Sequence, residues 1–111
     1  MFFKTIQKNT LTVDTYSFTF LHEISEVLET NDGYLVLLKY WVRAKSGYNL
    51  WDNVYMLNKK LELTWQIKGT KSRCYVGIFH YDGDYRAVDL DGVSSVLDMT
   101  DGKVIQEDFL K

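Results

Sequence analysis

VYMLNKKLELTWQI, from Val54 to Ile67, and SSVLDMTDGKVIQED, from Ser94 to Asp108, are two versions of one pattern set about 40 residues apart. Each is an apolar strand ending in Leu-Asn or Leu-Asp, then a short polar turn, then a returning alternating strand. A period near 40 with several short strands per unit is the spacing of β-propeller blades. In the first copy Leu61, Leu63, Trp65 and Ile67 alternate with Glu62, Thr64 and Gln66 across a turn at Asn58-Lys59-Lys60. The apolar set is therefore expected to face the core.

The segments upstream of the first copy also read as strands. Thr15 to Leu21 alternates, with Tyr16, Phe18 and Phe20 on an expected core face. Glu23 to Glu29 fits both helical and strand spacing, and strand is preferred. A turn at Asn31-Asp32-Gly33 leads into the nearly continuous apolar run Tyr34 to Val42, the mark of a central strand covered on both faces. A polar loop, Arg43 to Asn53, and a basic linker, Lys68 to Arg73, flank the first copy.

The second unit reads as strands Tyr75 to Phe79, Tyr85 to Asp89, Val93 to Leu97 and Lys103 to Asp108, joined at Asp82-Gly83, Asp91-Gly92 and Asp101-Gly102. Asp-Gly pairs tolerate the positive φ that tight hairpins need. With no proline in the chain, every strand residue keeps its N–H for a ladder. The expectation is a single all-β domain over 1–111, an antiparallel meander of eight or nine strands with almost no helix. It forms two blade-like four-stranded sheets, 13–67 with an N-terminal strand and 75–109. Two blades cannot close a ring, which takes four or more, so they pack as a half-propeller or a sandwich with edges left over.

Composition agrees with a folded β protein. The 111 residues are 46% hydrophobic and 15% aromatic, with eight Tyr and three Trp. A lone cysteine, Cys74, forms no intramolecular disulfide and suits a reducing compartment. The N-terminus interrupts its apolar residues with Lys4, Gln7, Lys8 and Asn9, unlike a signal peptide, and Tyr34 to Leu38 is too short to span a bilayer. A cytoplasmic location with no membrane contact is expected.

Charge is divided unevenly. Residues 81–111 carry eight acids against three bases, a net of −5, whereas residues 1–80 carry ten bases against seven acids, a net of +3. An acidic surface repels nucleic acid and favours a basic protein partner. Turn chemistry alone suits Asp91 and Asp101, but Asp82 and Asp84 sit in the cluster Tyr81-Asp82-Gly83-Asp84-Tyr85, which joins carboxylates to aromatic anchors. Tyr81, Asp82, Asp84, Tyr85, Asp89 and Asp91 are therefore the candidate partner-binding residues, with Tyr48, Trp51 and Asp52 as secondary candidates.

Other chemistries have weaker footing. His22 and His80 are the only histidines, and a ribonuclease-type acid/base pair would need both, yet nothing in the sequence brings them together. Cys74 beside Arg73 opens an apolar strand, where a buried free cysteine is common. Asp89-Leu90-Asp91-Gly92 shares two acids and a glycine with calcium loops but lacks the closing Glu of an EF-hand. No metal or cofactor is expected. Tyr40, Trp41, Tyr48 and Trp51 around the long loop would suit sugar stacking, which leaves a small carbohydrate- or ligand-binding module as the alternative reading.

The hairpins LNKKLELTW and LDMTDGKVI resemble the L-D-x-x-G-x-x-x-W hairpins of quinoprotein-like propellers. The run from Asn53 to Phe109 is also similar to small bacterial blade-repeat proteins, including immunity proteins of polymorphic toxin and contact-dependent growth inhibition systems. The first copy departs from the pattern with Lys60-Leu61 where the turn glycine belongs, and the second has Gln106 near the place of the Trp. The resemblance implies a non-enzymatic toxin inhibitor that occludes the basic cleft of a cognate nuclease, such as an RNase domain, as a monomer in a 1:1 complex. Carboxylates among Asp82, Asp84, Asp89 and Asp91 would then stand in for substrate phosphates.

Overall fold

Eleven strands and no helix make up residues 4–39 and 51–109, the part of the chain that the computed structural model describes. They are β1 (Lys4–Gln7), β2 (Thr10–Val13), β3 (Tyr16–Thr19), β4 (Ile24–Thr30), β5 (Gly33–Leu38), β6 (Val54–Asn58), β7 (Leu63–Gln66), β8 (Tyr75–Tyr81), β9 (Asp84–Asp89), β10 (Val93–Leu97) and β11 (Val104–Phe109). All neighbours within a sheet are antiparallel, in the orders β1-β2-β3, β4-β5-β6-β7 and β8-β9-β10-β11. Among the described residues no helix is long and apolar enough to cross a membrane.

The number and grouping of strands correct the sequence expectation of eight or nine in two sheets. The stretch 15–21 does not open the first blade-like unit. Its core, Tyr16–Thr19, closes a separate three-stranded sheet with β1 and β2. The two loops of that sheet, Lys8-Asn9 and Asp14-Thr15, hold Lys8 and Asp14 at positive φ without glycine, which hides them from a search for Gly turns. Tyr16 is 41% exposed and Phe18 half-buried, so only Phe20 of that expected core face is fully inside.

The middle sheet explains the apolar run. Every residue of β5 is buried. Leu35 and Leu37 enter one cluster with Val54, Met56, Trp65, Tyr75, Ile78 and Ala87, facing the last sheet. Tyr34, Val36 and Leu38 enter a second cluster with Leu11, Val13, Phe20, Ile24 and Leu57, facing the first sheet. Alternate side chains of one strand thus feed two cores, each buried Val or Leu contributing about 1.5–3 kcal/mol. Residues 40–42, the rest of the expected strand, lie outside the described residues.

Leu63 corrects the expected inward face of the first hairpin. A bulge between Met56 and Leu57 pairs Met56 with Trp65 but Leu57 with Leu63, so Leu63 turns to the opposite face and stays 49% exposed. Leu61, Trp65 and Ile67 are buried.

Polar contacts join the layers. The Asn53 amide donates to the Leu38 and Tyr75 carbonyls at 2.8 and 2.9 Å, and its Oδ1 accepts the Tyr75 N–H at 2.8 Å. Trp65 Nε1 donates to the Met99 carbonyl at 3.1 Å. Lys68, just after β7, pairs with the start of β11: its N–H donates to Gly102 O at 2.8 Å and its carbonyl accepts the Val104 N–H at 2.9 Å.

Candidate functional site

β8 and β9 meet at Asp82-Gly83, both at positive φ (51° and 83°), a two-residue turn whose flanking pair is Tyr81 and Asp84. Pairing then fixes the faces. Tyr81 and Asp84 share one face with Phe79 and Arg86, while His80 and Tyr85 lie on the other. His80 and Tyr85 are stacked, with ring centroids 4.3 Å apart at 12°, and Tyr85 packs against the core between the middle and last sheets. Tyr81 projects freely, 66% exposed, beside the exposed Asp82 and Asp84.

The six primary candidates therefore do not form one patch. Asp89 and Asp91 lie at the other end of β9, five strand residues from Asp84, roughly 17 Å away. There the structure brings them together with secondary candidates: Trp51, Lys71, Arg73, Asp89, Leu90 and Asp91 line an open groove of about 360 Å³. Asp52 accepts the Ser72 hydroxyl at 2.9 Å and the Arg73 N–H at 3.3 Å, which fixes the linker there. Tyr48 lies outside the described residues, as do Tyr40 and Trp41 of the sugar-stacking alternative.

Asp89 has a structural job. It is 4% exposed, its Oδ2 accepts Arg73 Nη1 at 2.7 Å, and its Oδ1 accepts the N–H groups of Val93 and Asp91 at 2.8 and 3.0 Å. Burial pushes its carboxyl up, but the Val93 N–H, Arg73 and the Asp91 N–H outweigh that and hold it below the usual range. With both oxygens engaged, Asp89 offers a partner, or a calcium ion, little. Among the described residues no group of three His, Cys, Asp or Glu is placed to hold a metal.

Arg73 spans two carboxylates, since its Nε also donates to Glu107 Oε2 at 3.0 Å, and it is 7% exposed. On the opposite face of the last sheet Arg86 does the same, with Nη1 2.9 Å from Asp108 and Nη2 3.8 Å from Asp84. Neither pairing was visible in the sequence, where Arg73 stood in a basic linker and Arg86 beside Tyr85. Parity across β9, β10 and β11 would have placed Arg86 and Asp108 on the face of Tyr81.

The nucleophile and acid/base alternatives gain no geometry. His22 borders an apolar groove of about 190 Å³ between the first two sheets, with Phe18, Phe20, Leu21, Tyr55 and Leu63, whereas His80 sits on β8. Burial, then Asp89, pushes the half-buried Cys74 thiol up. Its alkylation by iodoacetamide near pH 8 is expected to run slower than that of a free cysteine peptide; a faster rate would reinstate it as an activated thiol.

These features define an all-β protein of three antiparallel sheets whose last sheet presents tyrosine and carboxylates at an exposed hairpin. The chain belongs to the DUF7957 family, a domain of unknown function, which matches residues 1–109. No curated protein and no solved structure matches the chain.

Proposed function

We propose that this protein is a bacterial immunity protein that neutralises a toxin domain, such as an RNase, by covering its basic cleft with the outer surface of the last sheet. The exposed tip Tyr81-Asp82-Gly83-Asp84 carries the reading: an aromatic anchor two-thirds open to solvent stands beside two exposed carboxylates, with the acidic half of the chain behind it. That face carries Arg86 between two acids, Asp84 and Asp108. Electrostatic attraction speeds encounter with a cationic cleft, and desolvation of Tyr81 then slows release. The protein acts in the cytoplasm as a monomer in a 1:1 complex, by occlusion and without chemistry of its own.

The gene is expected directly downstream of the region encoding a large toxin's C-terminal domain, and its product should co-purify with that domain. Reversing Asp82 and Asp84 together to Lys is expected to weaken the complex by about 2–5 kcal/mol and to abolish protection from growth arrest, with the strand signal in circular dichroism retained. Full protection by that variant would remove the tip from the interface.

A further inference from the structure

The edges of the sheets are guarded unequally. β1, β3 and β7 are only four residues long, and the seven-residue β4 is bulged between Ile24 and Glu26 and lies against β8. β8 has its outward Ile78 N–H accepted by Glu26 Oε2 at 3.2 Å. β11 has six residues, contains no proline, and has only its first residue, Val104, covered by Lys68. Beyond that point Ile105 is 64% and Phe109 76% exposed.

Which peptide groups point outward follows from the hairpin. Tyr81 and Asp84 flank a two-residue loop and so exchange hydrogen bonds, which leaves Ile78 and Ala87 as a non-bonded pair. The outward Ile78 N–H agrees. Ala87 then bonds Ser95, so Ser94 and Val96 face β11 and bond Asp108 and Gln106. The main-chain groups of Glu107 and Phe109 remain, directed at the open edge.

A second copy is poorly suited to this edge. Antiparallel self-pairing centred on 107 sets Glu107 against Glu107, and centring on 108 sets Asp108 against Asp108. Centring on 106 places the partner's Asp108 opposite Val104, where Lys68 already sits. A cationic strand meets the opposite situation, because β11 runs between two guanidiniums that each face two carboxylates: Arg73 with Asp89 and Glu107 on one face, Arg86 with Asp84 and Asp108 on the other. Asp89 is buried and fully engaged, so the carboxylates that border the edge are Glu107 on one face and Asp108 on the other.

We infer that the open edge of β11, from Ile105 to Phe109, accepts an extended lysine- or arginine-bearing segment of the partner protein as a fifth strand of the last sheet. Main-chain bonds at Glu107 and Phe109 supply affinity, and the carboxylates of Glu107 on one face and Asp108 on the other select basic side chains. The inference rests on the partner reading above and names how the partner's chain is held.

The test uses the full chain, isotope-labelled for amide spectra, titrated with an alternating lysine–valine hexapeptide and its glutamate–valine counterpart. The lysine peptide is expected to shift the Glu107 and Phe109 amides and the acidic one to leave them in place. Phe109→Pro removes an outward donor without breaking the ladder, and is expected to weaken binding by about tenfold, as one lost interfacial hydrogen bond would, whereas Phe109→Ala costs much less. Gln106→Lys, which adds a cation to the strand, is also expected to weaken binding of the lysine peptide and replaces Phe109→Pro if that variant does not fold. Equal binding of both peptides, unchanged binding by these variants, or concentration-dependent dimerisation through β11 would overturn the assignment. Capture of the toxin domain that survives Phe109→Pro but not the Asp82/Asp84 reversal would also overturn it, while leaving the partner reading in place.

Discussion

Gly33→Ala is expected to remove about 4 kcal/mol of stability, a large share of the roughly 5–15 kcal/mol that holds a small domain together. Gly33 opens β5 at a φ of 153°, and a Cβ built there lies 2.0 Å from the Leu57 carbonyl oxygen and 2.8 Å from Asn58 Cα. Both neighbours are backbone of β6, paired with Gly33 and Tyr34, so relief requires parting the end of the ladder between the two inner strands of the middle sheet. Conformational strain of about 1–3 kcal/mol adds to about 1–3 for overpacking. Urea unfolding followed by circular dichroism measures the loss. Gly83→Ala is the comparison, because nothing lies within 4 Å of a Cβ there and only the φ of 83° is strained. Equal losses in the two variants would show that β6 yields to the new methyl group.

Arg73→Ala is expected to cost about 3–5 kcal/mol, the usual penalty for leaving buried carboxylates without their cation. Asp89 is the deeper of the two, and its Arg73 contact is 2.7 Å long. Arg73→Lys should recover only part of the loss, since one ammonium does not reproduce a guanidinium bridging two carboxylates. The pH dependence carries a further signature. Asp89 titrates below its ordinary 3.8 in the folded protein, so its stabilisation is complete above that value and fades as pH falls through the lowered one. Acid unfolding of the native protein should thus gain a contribution below about pH 4. In Arg73→Ala the carboxyl keeps its burial and loses a main counterweight, so its folded-state value rises towards or past the ordinary one and the acid-dependent loss that Asp89 contributes should shrink or reverse. An undiminished pH dependence of stability below about pH 4 would mean that Arg73 does not set the Asp89 titration.

The hairpins from β5 onward were legible because alternation and Asp-Gly pairs state both the strands and their turns. β1 was not, because all four residues of Lys4–Gln7 are exposed and a strand without a buried face has no apolar period to read. Leu63 was misplaced because one bulged residue puts it out of phase with Trp65, and strict alternation carries no sign of the extra residue. The candidate site was half legible. Tyr81, Asp82 and Asp84 were found by composition and do stand together at a turn. Asp89 looked equivalent in the sequence, but its partner Arg73 lies 16 residues upstream in what read as a linker, and only the packing of the last sheet brings them into contact.

The two-sided burial of the middle sheet bears on how the molecule comes apart. β5 has no side that tolerates water, so losing the first sheet would bare Tyr34, Val36 and Leu38, and losing the last would bare Leu35 and Leu37. Neither outer layer is expected to be shed as a stable intermediate, and urea unfolding should show one cooperative transition for the three sheets. The slowest-exchanging amides are then expected in β5 and β6, far from the exposed hairpin tip at Asp82-Gly83.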